Sequence, residues 1–421
     1  MRIALVRASI AVAVAALTST MLSGVVPSAA GAATSGLTAS APGITKSTIK
    51  IGILSDLTGA AASSFDDSPE AIEARFKQIN AAGGIDGRKI IWTVADTTSS
   101  PAGAETAAKE LVQTQGVFLV APVSALTFGG AQYLNQAGVP VIGSPVDGPE
   151  WDEQPNTNMF SYGGSASPNN PSYTDYGKFY KALGAKKVSL IASNTPSSTE
   201  AIAADAKSIE QAGLATCDDT VVPIGGVNFT TYALSFKSAG CDTAECSCVL
   251  SSSLAVSTAL RQDGLTKVKV IFDAGPTTQV YGNSEDLAAA NGAYFEGTTY
   301  GNAAGKAFLS GLKKYDPQFK GGLPDLGQSE GWPTANLVIE GLQVAGMNPT
   351  RQSLIANLRK VTNWTDEGLS PSPISFAHFG QAPPTTCLQY VQFVNKKYVP
   401  FPKNGKAFCG TLIPGTASSP S

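Results

Sequence analysis

Histidine is almost missing from this 421-residue chain, His378 being the single one. That excludes multi-histidine metal sites and leaves any Ser/His or Cys/His catalytic scheme one candidate base. Charge is scarce too: Asp, Glu, Lys and Arg make up 14 %, where about 25 % is usual. The 29 basic and 32 acidic residues nearly cancel, to −3. No basic run follows the N-terminus, which argues against an extended nucleic-acid footprint. There is no G-x-S-x-G elbow, and no Gly-rich phosphate loop follows the first strand. After the N-terminal segment no apolar stretch is long enough to span a bilayer. The first cysteine is Cys217, so lipid attachment near the N-terminus is chemically impossible.

Hydrophobic residues reach 43 %, enough for a large core, and the length suggests two domains. The first residues form an export signal. Arg2 and Arg7 supply a positive start, Ala8 to Leu22 an apolar stretch, and Ala30-Gly31-Ala32 an A-x-A cleavage pattern. Cleavage would leave 27 basic against 32 acidic residues, a net −5; the alternative is an uncleaved anchor, since no charge stands between Arg7 and Lys46, though Gly24 and Pro27 weaken a spanning helix. The expected organisation is a signal peptide over 1–32, a Ser/Thr/Gly/Ala-rich flexible linker over 33–47, and a flexible tail over 414–421. An exported protein sees an oxidising environment, and the six cysteines follow the signal, so disulfides are the default. Cys387 and Cys409 stand apart from the rest and are expected to pair. Cys217, Cys241, Cys246 and Cys248 pair in an order the sequence leaves open. Cys246-Ser247-Cys248 lacks the two-residue gap of a zinc site. No metal and no cofactor is expected.

Between these ends, strands and helices alternate. Ile49 to Leu54, Lys89 to Val94, Val117 to Val120 and Pro140 to Ile142 read as strands. A helix opens at Ser68-Pro69-Glu70 with a serine cap, and another at Ser100-Pro101. Val188 to Ile191, Thr220 to Val222, Val249 to Ser251 and Val268 to Phe272 continue the cadence. Crossover units of this kind imply parallel sheets. Leu388 to Asn395 and Lys397 to Phe401 suggest a hairpin that completes the second sheet.

Ile79-Asn80-Ala81-Ala82-Gly83-Gly84-Ile85-Asp86-Gly87-Arg88 resembles the "IN-x-x-GGI-x-G-R" signature of type I periplasmic solute-binding proteins. Those of the branched-chain amino acid (leucine/isoleucine/valine) transport systems are the most similar. Ile51 to Gly59 is similar to that family's opening segment, and Gly138 to Ser144 to its "AGVPVI" strand. The resemblance implies an α/β fold of two doubly wound lobes joined by a three-segment hinge near Tyr162, Tyr300 and Phe376. Lobe 1 would hold 48–161 and 300–374, and lobe 2 would hold 162–299 and 375–413. It also implies a small-molecule ligand between the lobes and a membrane permease of an ABC transporter as partner, with a monomeric binding protein.

In parallel sheets ligands sit beyond the carboxyl ends of strands. Ser124 and Ala125 follow the third strand; Ser124 could cap the next helix or meet a ligand carboxylate, the role that loop has in the family. Ser144 and Pro145 form the matching second loop. Phe65 is either a side wall or core, and Trp332 lines the cleft or packs the lobe junction. In the second lobe the family places aromatic residues and an acid for the ligand's ammonium. Here the corresponding loops offer Thr195, Ser197, Ser252, Ser253 and Thr277, with Asp273 either pairing an amine or capping a turn. Such a hydroxyl-rich wall favours a polar solute, amino acid-like or another carboxylate or amide. Asn228-Phe229-Thr230 and Asn363-Trp364-Thr365 match a glycosylation sequon that is common by chance. The expected function is solute capture without catalysis. An extracellular ligand sensor and a secreted α/β hydrolase are the competing classes, the last weakened by the missing elbow and by His378, read as structural.

Overall fold

A computed structural model describes residues 36–146, 148–163, 171–377, 379 and 385–416. The signal segment, Asp147 and His378 lie outside the described residues.

The first sheet runs β2-β1-β3-β4-β5, with every neighbour parallel. Its strands are β1 (Thr48–Ser55), β2 (Lys89–Asp96), β3 (Leu119–Val123), β4 (Val141–Gly143) and β5 (Met159–Ser161). Central β1 is buried along its second half without alternation, as a strand covered on both faces must be. Helices α1 (Ala62–Phe65), α2 (Ser68–Ala81), α3 (Pro101–Lys109) and α4 (Phe128–Gln136) connect these strands. Ile72 and Phe76 of α2 are fully buried. Ser100 caps α3 by accepting from the N–H of Gly103. At α2 the expected serine cap fails: Asp67 occupies the N-cap position, and the Ser68 hydroxyl meets that of Ser55 at 2.9 Å instead.

The signature segment has a physical basis here. Asn80 pairs both backbone groups of Ile90, at 2.7 and 2.8 Å. Gly84 turns at φ +85°, where a Cβ would lie 1.9 Å from the Arg88 carbonyl oxygen. Buried Arg88 donates to the carbonyls of Thr45, Met347 and Thr38 at 2.7, 2.5 and 2.9 Å. These bonds overturn the flexible linker for its described part, 36–47. Leu37 and Ile44 are buried there, and Thr38 bonds Asn348. Composition suggested freedom; distant partners remove it.

The second sheet runs β14-β13-β11-β10-β9-β6-β7, with β8 on β6. Its strands are β6 (Lys187–Ser193), β7 (Ala215–Thr216), β8 (Thr220–Val222), β9 (Thr243–Ser247), β10 (Lys269–Phe272) and β11 (Tyr294–Glu296). After β12 (Thr385–Leu388) come β13 (Tyr390–Val394) and β14 (Lys397–Phe401), the expected hairpin, joined antiparallel to β11. β15 (Phe408–Thr411) pairs with β12, and Cys387–Cys409 bridges that pair. The other disulfides are Cys217–Cys241 and Cys246–Cys248. Helices α5 (Asp175–Leu183), α6 (Pro196–Gln211), α7 (Thr230–Ala239), α8 (Leu250–Gln262) and α9 (Ser284–Ala290) accompany this sheet. Val249 to Ser251 is therefore no strand: Val249 is the N-cap of α8, and the strand is β9 just before it.

The chain passes between the sheets after β5, after β11 and beyond Phe376. After β11 it forms α10 (Ala303–Tyr315), α11 (Leu326–Ala345) and α12 (Arg351–Leu358). Helix α11 packs on α2, β3 and β4 of the first lobe. A Cβ on Gly331 would lie 2.5 Å from the Ser68 carbonyl oxygen, so this approach needs glycine. Phe376 packs on Phe160 and Trp364, which places it with the first lobe. At the C-terminal end, Thr416 still bonds the N–H of Ser172 at 3.0 Å; the expected tail is anchored to that point.

Candidate ligand-binding site

Both sheets end their parallel strands at one interlobe region. On the first-lobe side, β1 delivers Asp56, which is fully buried. It accepts from the Ser124 hydroxyl and the Ala125 N–H, both at 2.8 Å, and from the Thr97 hydroxyl. Burial pushes its carboxyl up, while the bonds from Thr97, Ala125 and Ser124 oppose that shift. Ser124 also accepts from the Leu126 N–H at 3.0 Å. Next along the edge, the buried Ser144 hydroxyl donates to Glu330 of α11 at 2.5 Å. The Tyr162 hydroxyl, on the first crossing segment, donates to the same Glu330 oxygen. Burial raises Glu330, against these two bonds.

On the second-lobe side, Thr195 caps α6, and Ser197 lies 3.2 Å from its hydroxyl. Ser253 donates to the Val249 carbonyl at 3.4 Å, and the buried Ser252 hydroxyl has no partner. Asp273 follows β10. Two contacts join the lobes directly. The Leu250 N–H donates to Ser64 of α1, at 3.4 Å. Asp325, at the start of α11, accepts from the Thr277 hydroxyl and from the Thr278 N–H at 2.7 Å.

A family model for periplasmic binding proteins matches residues 48–398. The chain belongs to the periplasmic binding protein family. Leu/Ile/Val-binding protein homolog 3 of Brucella melitensis is 27 % identical over 196 residues, 46 % of this chain and 52 % of that protein. The match thus spans about half of that relative. Solved structures of low identity share the fold. A fatty acid ABC transporter substrate-binding protein from Thermomonospora curvata has a TM-score of 0.72 at 19 % identity, over 89 % of this chain and 95 % of that one. A leucine binding protein from Thermotoga maritima has a TM-score of 0.69 at 16 % identity, over 84 % and 97 %. An R. palustris solute binding protein in complex with 4-hydroxybenzoate has 0.67 at 20 %, over 83 % and 95 %. The type I fold of two α/β lobes is therefore shared, and those three proteins differ in the ligands they are named for.

In this periplasmic binding protein the sequence-predicted residues divide sharply. Ser124, Ala125, Ser144 and Pro145 share one edge; Thr195, Ser197, Ser252, Ser253, Asp273 and Thr277 share the opposite one. Several already have internal work: Ser124 and Ala125 serve Asp56, and Thr277 serves Asp325. Phe65 is core, at 5 % exposure. Trp332 is core as well, set at a tilt against Phe308 within the first lobe, on α11, which starts at Leu326. Among the described residues no three His, Cys, Asp or Glu are placed to hold a metal ion, and no helix is long and apolar enough to cross a membrane. A cavity of about 600 Å³ lies away from the strand ends, lined by Arg75, Asn336, Trp364 and Glu367 among others.

Sequence reasoning missed a row of acids in the second lobe, of which Glu245 is fully buried and Asp273 and Glu296 are half-buried. Glu245 in β9, Asp273 after β10 and Glu296 in β11 lie on one face of the sheet by register. The Tyr180 hydroxyl donates to Glu245, and that of Tyr176 to Glu296 at 3.2 Å. Burial raises Glu245, Asp273 and Asp205 of α6, and lifts Glu296 to about 8. The available signal was a glutamate in the middle of the buried run Thr243–Ser247.

Proposed function

We propose that this protein is an exported substrate-binding protein that hands a small polar solute to the membrane permease of an ABC transporter. The lobes close on the solute about the crossing segments, and the closed form is the one the permease engages. The observation that carries this reading is the facing of two strand-end edges, rich in hydroxyls and bridged by Leu250–Ser64 and Thr278–Asp325. Among the described residues, Ser124 and Ser144 of these edges meet carboxylates that hold them in the structure, and the strand-end segments carry no His or Lys to serve as a base, which supports binding without catalysis. The binding residues would come from Ser144, Pro145, Thr195, Ser197, Ser252, Ser253 and Asp273, with Ser124 and Ala125 shaped by Asp56. The lobes are proposed as 48–161 with 300–374 and 162–299 with 375–413; the crossings after β5 and β11 support the first two boundaries, and the packing of Phe376 in the first lobe moves the third just beyond it. Export fits the family and the three disulfides, which form outside the reducing cytoplasm. Native mass spectrometry of the purified, unreduced protein tests the reading. A monomer retaining a small molecule, released on mild unfolding, is expected. A preparation that takes up no solute from a broad metabolite panel would refute it.

A further inference from the structure

Whether the solute is an anion or a cation turns on which donors and acceptors the two edges leave free. The first-lobe loop after β3 is poorly suited to a carboxylate. Its Ser124 hydroxyl and Ala125 N–H both donate to Asp56, at 2.8 Å, and an incoming anion there would face that acid. The strand-end segments 56–65, 96–100, 121–127, 143–148, 193–198, 247–253, 273–278 and 325–332 contain no Lys, Arg or His. Acids, by contrast, stand on both edges. Glu330 is held on the first-lobe side by Ser144 and Tyr162, while Glu245, Asp273 and Glu296 form a row on one face of neighbouring second-lobe strands.

Acceptors in this row are left over. The Oε1 of Glu245 and the hydroxyl of Tyr390 have no hydrogen-bond partner, although these residues are 0 % and 2 % exposed. Oδ1 of Asp273 is equally unpartnered. Tyr390 sits directly opposite Glu296 in the β11–β13 register. Such buried acceptors are costly unless a donor meets them. No three of these acids are spaced for a metal ion, whereas the several N–H donors of a protonated nitrogen can reach dispersed oxygens.

Building on the solute-binding reading, we propose that the solute is an organic cation with an amine or guanidinium group and no carboxylate of its own. Its nitrogen is received by Glu330, Glu296, Asp273 and Glu245, and Tyr390 adds an acceptor.

Titration calorimetry with putrescine and agmatine, against leucine and benzoate, tests this on the full-length purified protein after ligand stripping. The two cations are expected to bind and the carboxylates not to. Losing one charged hydrogen bond should weaken binding about ten- to a hundredfold in Glu330→Gln and in Asp273→Asn. Circular dichroism identifies variants that fail to fold. For wild type, rising salt should weaken the cation complex, which gives a readout independent of any variant. Leucine or benzoate binding more tightly than both cations would overturn the cation assignment and leave solute binding standing. Cation binding unchanged in both folded variants and insensitive to salt would also overturn it. Failure of all four probes together with an empty native mass spectrum would overturn the solute-binding reading itself.

Discussion

Replacing Asp56 by alanine tests how the first-lobe edge is built. The side chain accepts three hydrogen bonds, from Thr97, Ser124 and the Ala125 N–H. Each donor left unpaired in a buried place costs about 1–3 kcal/mol. The two hydroxyls can rotate to other acceptors, so the backbone N–H carries the firmest loss. Against this, alanine removes a carboxyl whose burial is unfavourable enough to raise its pKa. The balance is a destabilisation of about 2–4 kcal/mol for Asp56→Ala. For Asp56→Asn it is about 1–2 kcal/mol, because one oxygen keeps its donors while the new amide faces another N–H. Guanidinium unfolding followed by tryptophan fluorescence reads both values at constant slope. If Asp56→Ala unfolds within about 0.5 kcal/mol of wild type, the three bonds are not the support we describe.

Three further outcomes are expected. Burial raises Asp67 from 3.8 to about 8, Glu296 from 4.5 to about 8 and Asp366 from 3.8 to about 7. Between those limits the folded state binds more protons than the unfolded one, so stability should fall as pH rises from 5 to 8. A melting temperature that climbs over that range would contradict these assignments, and Glu296→Gln should flatten the slope. Opening the Cys387–Cys409 bridge, which spans 22 residues, by a double serine variant should cost about 3 kcal/mol in denaturant unfolding; no loss would count against a closed loop. Arg88→Ala removes the carbonyl contacts to Thr38, Thr45 and Met347, about 3–5 kcal/mol. Limited proteolysis should then cut within 36–47, a segment expected to resist in wild type.

Much of the frame was legible because its causes are local. Ser100 before Pro101, the turn at Gly84 and the hairpin of β13 and β14 depend on neighbours within a few residues. The signature Asn80 and Arg88 were legible as a pattern, and their bonds explain why the pattern holds. What escaped was decided at long range. Leu37 and Ile44 sit in a stretch whose composition reads as loose, yet its anchor Asn348 is 310 residues from Thr38. Glu245 escaped because its partner Tyr180 is 65 residues away, on another element. β9 itself was misplaced onto Val249–Ser251, where an apolar pair leads into a helix. The site residues were chosen for facing a ligand; several face protein acids, which no local pattern displays.

Under the proposed closure of the lobes on a solute, the bonds from Thr277 and Thr278 to Asp325 carry a kinetic consequence. They join the lobes whatever occupies the space between them, so the opening barrier contains a part the solute does not supply. Each must break before the lobes separate, and together with Leu250–Ser64 they lengthen the dwell time of any captured molecule. Affinity and residence time are thereby partly uncoupled. On the proposed capture mechanism, a weakly held solute would stay enclosed longer than its own contacts dictate, and loosening Asp325 would hasten its discharge without touching the solute.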